Sequence, residues 1–266
     1  MIELVVSGVA GRMGGRIVAL SRETDDLRVV AALERPGHPA QGRDAGEVAG
    51  GSRLGVAITA DPAAALTRDR VLVEFTAPEP TIEHLRIAAA QGARAVAGTT
   101  GLSAMQTDEL RKLATQTALV YSPNMSVGVS LAFRVLALMA KALGDEYDVE
   151  ITEIHHRMKK DAPSGTAVRM AEVIAEALGR DLGKVGVYGR HGLVGERGPK
   201  EIGIHALRGG DVAGEHTVVF STLGERLELT HRAHTRDTFA RGALRAIRFV
   251  AGAPRGFYSM YDVLML

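Results

Sequence analysis

A short apolar run, Ile2-Glu-Leu-Val-Val6, leads straight into Gly8-Val-Ala-Gly-Arg-Met-Gly14, and no other stretch limits the fold so tightly. The run is too short for a helix and reads as a buried strand. The glycines after it admit a tight turn and a close backbone approach. Helical spacing follows at Ile17, Val18 and Leu20, and a second strand over residues 27–33 ends at Glu34-Arg35. Strand, glycine-rich turn, helix, strand and terminal acid form the arrangement that holds a dinucleotide. Its pyrophosphate rests at the helix N-terminus, against Gly8, Val9, Ala10, Gly11, Arg12 and Met13. The glycines fall at 8, 11 and 14, with Ala10 where the strict G-x-G-x-x-G pattern has glycine. Glu34 suits the free ribose 2′-hydroxyl of NADH, whereas Arg35 and Arg12 suit the 2′-phosphate of NADPH. Use of either cofactor is therefore expected.

Residues 36–56 are rich in glycine and polar residues and read as an irregular excursion. Strand–helix alternation then resumes, with strands predicted at 71–75, 93–97 and 118–121 and helices from about 80 to 91 and 103 to 115. Ligands in such sheets bind beyond the carboxyl ends of the strands. Phe75 and Thr76, then Gly98, Thr99 and Thr100, then Ser122, Pro123, Asn124 and Met125 all fall there, which makes them candidate cofactor contacts.

A long amphipathic helix is predicted at 126–143, with Phe133, Leu136 and Met139 or Ala140 on its apolar side. The chain then turns β-rich, at 147–155, 202–207, 215–221 and 227–231, with one clear helix after Ser164. Residues 183–200 read as a flexible loop, and a final helix from 236 to about 251 is expected to pack back on the first domain. The expectation is an α/β protein: a Rossmann-type parallel-sheet domain (1–125 and 236–266) and an α+β domain with a mostly antiparallel sheet (126–235).

Residues 150–167 hold the densest chemistry. A strand-like run ends in His155-His156, a basic loop carries Arg157, Lys159 and Lys160, and Pro163 and Ser164 open a helix. The N–H groups of Gly165 and Thr166 would form an anion cradle at the positive end of that helix. Imidazoles, ammonium groups and an anion cradle together suit an enzyme that holds a carboxylate and moves a proton. Adjacent strand residues point to opposite faces, so His155 and His156 cannot both face a ligand unless the strand has ended between them. His231 and His234 lack acidic or cysteine partners at ligand spacing and read as surface or structural residues. With no cysteine and no H-E-x-x-H pattern, a catalytic metal is not expected.

This segment resembles the motif of the dihydrodipicolinate reductase (4-hydroxy-tetrahydrodipicolinate reductase) family, Glu-(Ile/Val)-x-Glu-x-His-x-x-x-Lys-x-Asp-x-Pro-Ser-Gly-Thr-Ala. Glu150 to Ala167 fill every specified position. The likeness runs through essentially the whole chain, in residues 8–14, Glu34-Arg35, Phe75-Thr76, Gly98-Thr-Thr-Gly101, Asn124-Met-Ser-Val-Gly128, Arg208-Gly-Gly-Asp211 and Gly214-Glu-His216. It implies reduction of a cyclic dicarboxylate to tetrahydrodipicolinate, in the diaminopimelate route to lysine, by a homotetramer assembled through its second domain. It makes His155 a proton donor or acceptor and Lys159 a proton donor. His156, Lys159, Ser164, Gly165 and Thr166 would line the substrate, Gly165 and Thr166 holding a carboxylate. The chain departs from the family at Ala10, and at Ala77, where some relatives carry a basic residue.

A net charge of +1 gives no field for nucleic acid or an anionic membrane, so neither is an expected partner. No basic, apolar leader precedes the first strand and no apolar run reaches about 18 residues, so no membrane span is expected and a soluble, cytoplasmic protein is. A related aspartate- or homoserine-type dehydrogenase and a non-enzymatic nucleotide sensor are the rival readings. The 150–167 segment argues against the first, and the lack of a DNA-reading module against the second.

Overall fold

The computed structural model describes residues 1–266, which divide into two compact units, Met1–Val127 with Asp237–Leu266, and Gly128–Arg236. In the first unit β1 (Ile2–Ser7), α1 (Arg12–Ser21) and β2 (Leu27–Leu33) are followed by α2 (Ala45–Val48), β3 (Ile58–Thr59) and α3 (Pro62–Ala65). Next come β4 (Arg70–Glu74), α4 (Pro78–Gln91), β5 (Arg94–Ala97), α5 (Ala104–Leu113) and β6 (Ala118–Tyr121), and α6 (Val127–Leu143) leads into the second unit. That unit holds β7 (Asp148–His155), α7 (Gly165–Ala177), α8 (Leu182–Val185), β8 (Gly186–Val187), β9 (Ile202–Arg208), β10 (Gly214–Thr222) and β11 (Glu225–Ala233). The chain then re-enters the first unit as α9 (Asp237–Gly252), β12 (Gly256–Tyr258) and α10 (Met260–Leu264).

The first unit is a seven-stranded sheet in the order β12-β6-β5-β4-β1-β2-β3, parallel throughout. Alternate residues feed two cores. Leu4, Val6, Val73 and Val120 pack with Ile17, Val18, Leu244 and Ile247 of α1 and α9. Val5, Leu72, Ala95 and Leu119 pack with Ile82, Leu85 and Leu110 of α4 and α5. Each fully buried Val, Leu or Ile contributes roughly 1.5–3 kcal/mol, so both faces need helices. β4 stops at Glu74, and Phe75 already belongs to the turn. α5 starts on a capping box, in which the Ser103 hydroxyl accepts from the Gln106 N–H and the Gln106 side chain from the Ser103 N–H. Within the irregular excursion, Asp44 accepts from the N–H groups of Gly46, Glu47, Leu54, Gly55 and Val56, holding its carboxyl down at about 2 and organising the loop around one side chain.

The second sheet runs β11-β10-β7-β9-β8 and is mixed. The β10–β11 hairpin and the β10–β7 pair are antiparallel. β9 returns parallel to β7 because α7 and α8 carry the chain across first, a connection that strand patterning does not reveal. Val149, Ile151, Ile202 and Ile204 are buried on the face over which Met170, Ala171 and Ile174 of α7 pack. Residues 188–200 have no regular structure but are pinned. Arg190 and Arg197 both bond Glu150, and Arg197 also donates to the Val149 and Glu201 carbonyls. The stretch Val127–Glu146, with a mean hydropathy of 1.6, is long and apolar enough to cross a membrane by length and composition alone. Arg134 and Lys141 interrupt it, and Val129, Ala132, Phe133, Leu136 and Ala140 form a buried stripe as on a core helix.

Candidate active site

Each turn with candidate cofactor contacts lies at the carboxyl edge of the first unit's sheet. Strand order reverses between β1 and β4, where sheets of this kind open a crevice. Gly8 follows β1 at a φ of +67°, and a Cβ on Gly14 would lie 2.2 Å from the Gly8 carbonyl oxygen. The turn therefore exists only with glycine at both places. Gly11 caps α1 without a side chain, leaving a smooth backbone at the positive helix end, and this fits a pyrophosphate. Gly98 gives Phe75 its place: a Cβ there would stand 2.0 Å from the ring.

Glu34 braces this turn from below, its Oε1 accepting the Ala10 N–H at 2.8 Å and its Oε2 the Arg35 N–H at 3.3 Å. Ala10, Gly11, Arg12, Arg35, Thr76, Thr100 and Pro123 are exposed. Val9 and Met125 bury their side chains in the core, with Met13 partly buried against it, so backbone is what Val9 and Met125 present. Thr99 is buried as well, its hydroxyl 2.7 Å from that of Thr81. Ser122 donates to the Asn124 carbonyl, and the Asn124 side chain accepts the Ser126 N–H, which fixes the turn after β6.

In the second unit the centre is a carboxylate. Glu153, fully buried on β7, faces the same side as His155 because strand residues two apart share a face. Its Oε2 lies 2.6 Å from His155 Nδ1, Arg208 grips both oxygens at 2.9 and 3.1 Å, and the Ser164 N–H donates to Oε1 at 2.9 Å. Burial alone would push this carboxyl up; Arg208, His155 and the Ser164 amide outweigh it and hold it below the usual carboxylate range. One group thus sets an imidazole, a guanidinium and a helix start.

Ser164 is the N-cap of α7, and its hydroxyl is turned inward, accepting the Ala167 N–H and lying 2.9 Å from His216 Nε2. Both contacts hold the start of α7 in place. Pro163 stands before the cap, outside the helix, joined to Ala162 by a cis peptide. The Gly165 N–H has no acceptor within the chain, and a Cβ there would meet nothing within 4 Å. Thr166 follows, half-buried, in the first turn of α7. His155 is the last residue of β7 and His156 lies beyond it, so the two rings escape strict alternation. His156 Nε2 is 3.4 Å from Arg236 Nη2. Lys159 bonds both Asp161 oxygens, at 3.0 and 2.8 Å, which lowers the Asp161 carboxyl. Arg208 also takes the Asp161 carbonyl at 2.6 Å, tying this loop to the Glu153 group.

Sequence analysis gives Arg208 and His216 no role beyond their place in the family likeness, and reads His231 as surface or structural. His216 is buried on β10, its ring 5.2 Å from that of His155 and 6.4 Å from that of His231. Burial first, and the adjacent His155 second, press its pKa to about 4. His231 is half-buried on the same face, with its pKa lowered by burial, while His234 is exposed. The available signal was the alternation Gly214-x-His216, opposite His231 in the hairpin. A Cβ on Gly214 would come within 2.9 Å of His155 Nε2, so glycine keeps that nitrogen accessible.

Comparison with known proteins bears on both units. Family models described as dihydrodipicolinate reductase, N-terminus and C-terminus, match residues 2–125 and 128–264. A 4-hydroxy-tetrahydrodipicolinate reductase of Syntrophus aciditrophicus (strain SB) is 50% identical over 264 residues, 99% of this chain and 98% of its own. One from Citrifermentans bemidjiense is 52% identical over 266 residues, the whole of both chains. The solved structure of a dipicolinate-bound dihydrodipicolinate reductase from Paenisporosarcina sp. TG-14 superposes with a TM-score of 0.79 at 24% identity, covering 100% of both chains, a likeness of fold.

Proposed function

The chain belongs to the dihydrodipicolinate reductase family, and on that premise we propose that it reduces 4-hydroxy-tetrahydrodipicolinate, by way of dihydrodipicolinate, to tetrahydrodipicolinate with NADH or NADPH, in the diaminopimelate route to lysine. The carrying observation is the Glu153 group: one buried carboxylate fixes His155, Arg208 and the start of α7 beside the Lys159 loop.

The first unit would hold the cofactor, with Gly8, Val9, Ala10, Gly11, Arg12 and Met13 around the pyrophosphate and Phe75, Thr76, Gly98, Thr99, Thr100 and residues 122–125 along the cleft. The side-chain-free turn fits that group. Glu34 supports NADH and the exposed Arg12 and Arg35 support NADPH, so the assignment is dual use. When bound, the reduced nicotinamide supplies the hydride. In the second unit the substrate is a dicarboxylate, and Lys159, Lys160 and the Gly165–Thr166 end of α7 supply the positive potential it needs. Hydride addition leaves an electron-rich enamine that must gain a proton. Glu153 occupies Nδ1 of His155, so His155 would act through Nε2, the nitrogen that Gly214 leaves room for. Lys159, set by Asp161, is the second donor within the loop, and His156 a further contact to substrate.

A homotetramer in the cytoplasm completes the assignment. Its support is the sheet face of the second unit opposite α7, which carries Ile154, Val219 and the 47% exposed Leu207. The test follows the loss of reduced-nicotinamide absorbance, with substrate generated in situ by the preceding condensing enzyme, for NADH and NADPH separately. Lys159→Ala should cut turnover by about 10²–10⁴-fold, the range for a lost proton donor, while binding cofactor normally. Cofactor binding without oxidation of either nucleotide by the wild type would remove the substrate assignment.

A further inference from the structure

Beneath the cofactor edge lies a second buried carboxylate that none of the chemistry above uses. Register puts Ser7, Glu74 and Ala97 side by side on β1, β4 and β5, the last rung before three of the turns. Glu74 is fully buried at the point where strand order reverses. Its Oε1 accepts from both the amide (3.1 Å) and the hydroxyl of Thr76, and the Thr81 hydroxyl stands 3.5 Å away. Its Oε2 lies 2.7 Å from His84 Nδ1, which in turn is 3.2 Å from the Ser7 hydroxyl. Thr81 then reaches Thr99 at 2.7 Å. Thr76 packs against the glycine turn so closely that a Cβ on Gly8 would come within 2.8 Å of its methyl group.

A carboxylate in that position has no solvent to serve it, and a hydrophobic side chain would fill the space at lower cost to the core. What it achieves is geometric. The exposed turns after β1, β4 and β5 are joined underneath through Ser7–His84, Thr76 and Thr81–Thr99. We propose that Glu74 and Thr81 are positioning residues for the nicotinamide cofactor: they touch no ligand but fix the turns after β4 and β5 relative to the glycine turn. This rests on the reading that those turns bind the dinucleotide. Binding energy is spent on ordering whatever is not already ordered, so a pre-set edge binds more tightly than a loose one.

Thr81 is the selective handle, because it bridges Glu74 to Thr99 from within α4. Thr81→Val keeps the shape and removes the hydroxyl; Thr81→Ser keeps the hydroxyl and trims a methyl group. In the full-length enzyme the dissociation constants and KM values for NADH and NADPH should rise about tenfold in the Val variant, equivalent to about 1.4 kcal/mol. The substrate KM should not move, and the Ser variant should behave as wild type toward cofactor even where it melts earlier. Equal cofactor affinity in wild type and Thr81→Val would overturn the proposal, as would equal losses in the Val and Ser variants, which would mark a purely structural role. Hydrogen exchange on the wild type with and without NADH separates the two levels. Protection of residues 8–13, 75–77 and 98–101 upholds the cofactor edge, and its absence overturns that reading together with this one.

Discussion

Replacing His216 with Gln should flatten the acid sensitivity of the second unit. In the fold, burial and then the neighbouring His155 press His216 to about 4, whereas an unhindered imidazole titrates at 6.5. Between those values the unfolded chain takes up a proton that the folded chain refuses. Stability is therefore intact above about pH 6.5 and declines as the pH falls toward 4. Integrated from near pH 7 to near pH 5, the loss is about 2 kcal/mol, which lowers the melting temperature by roughly 4–8 °C. Gln extends about as far as imidazole Nε2, so it can keep the contact with the Ser164 hydroxyl without titrating. Glu153, His155, His231 and Lys159, the other groups that act on His216, remain in both proteins, so the difference between their pH profiles isolates His216. The assay is urea unfolding followed by circular dichroism at both pH values. A variant that loses as much stability on acidification as wild type would refute the reasoning.

Gly14→Ala drives a Cβ to 2.2 Å from a backbone oxygen that cannot swing away, and should cost about 1–3 kcal/mol together with nucleotide binding; calorimetric titration with NADH checks it, and normal affinity would contradict the assigned turn. Glu150, kept at about 2 against its burial by Arg190, His205 and Arg197, is the anchor of residues 188–200. Glu150→Gln should speed limited proteolysis within that segment, and an unaltered cleavage rate would mean that the arginine bonds to backbone carbonyls hold it unaided.

The first unit's elements were legible where physics is local. Buried parallel strands read as apolar runs, and the glycines at 8, 11 and 14 announce a turn that leaves no room for a Cβ at Gly14. Phe75 looks like strand because aromatic residues favour strands, yet the ladder ends at Glu74. Asp44 was invisible for a different reason: its order comes from N–H groups up to twelve residues away and leaves no hydrophobic period to read. The same holds for the Glu153 group. Its link to His155 follows from two-residue spacing, but Arg208 lies 55 positions away and His216 is 52 from Ser164. Contacts of that span come from sheet order, and the parallel β7–β9 pairing that brings Arg208 alongside could not be inferred from strand patterns.

The interrupted first unit has a consequence for synthesis. α9 supplies Ala240, Ala243, Leu244, Ile247 and Val250 to the core that also contains Leu4 and Val6, and β12 forms one edge of the sheet beside β6. A chain that has emerged from the ribosome as far as residue 236 therefore presents every strand of the second sheet, while one face of the first is covered by α1 without α9. The later-encoded unit can finish first, while the earlier one waits for the last thirty residues, Asp237–Leu266. Stalling or clipping near the C-terminus would thus strike the half of the molecule that was translated first.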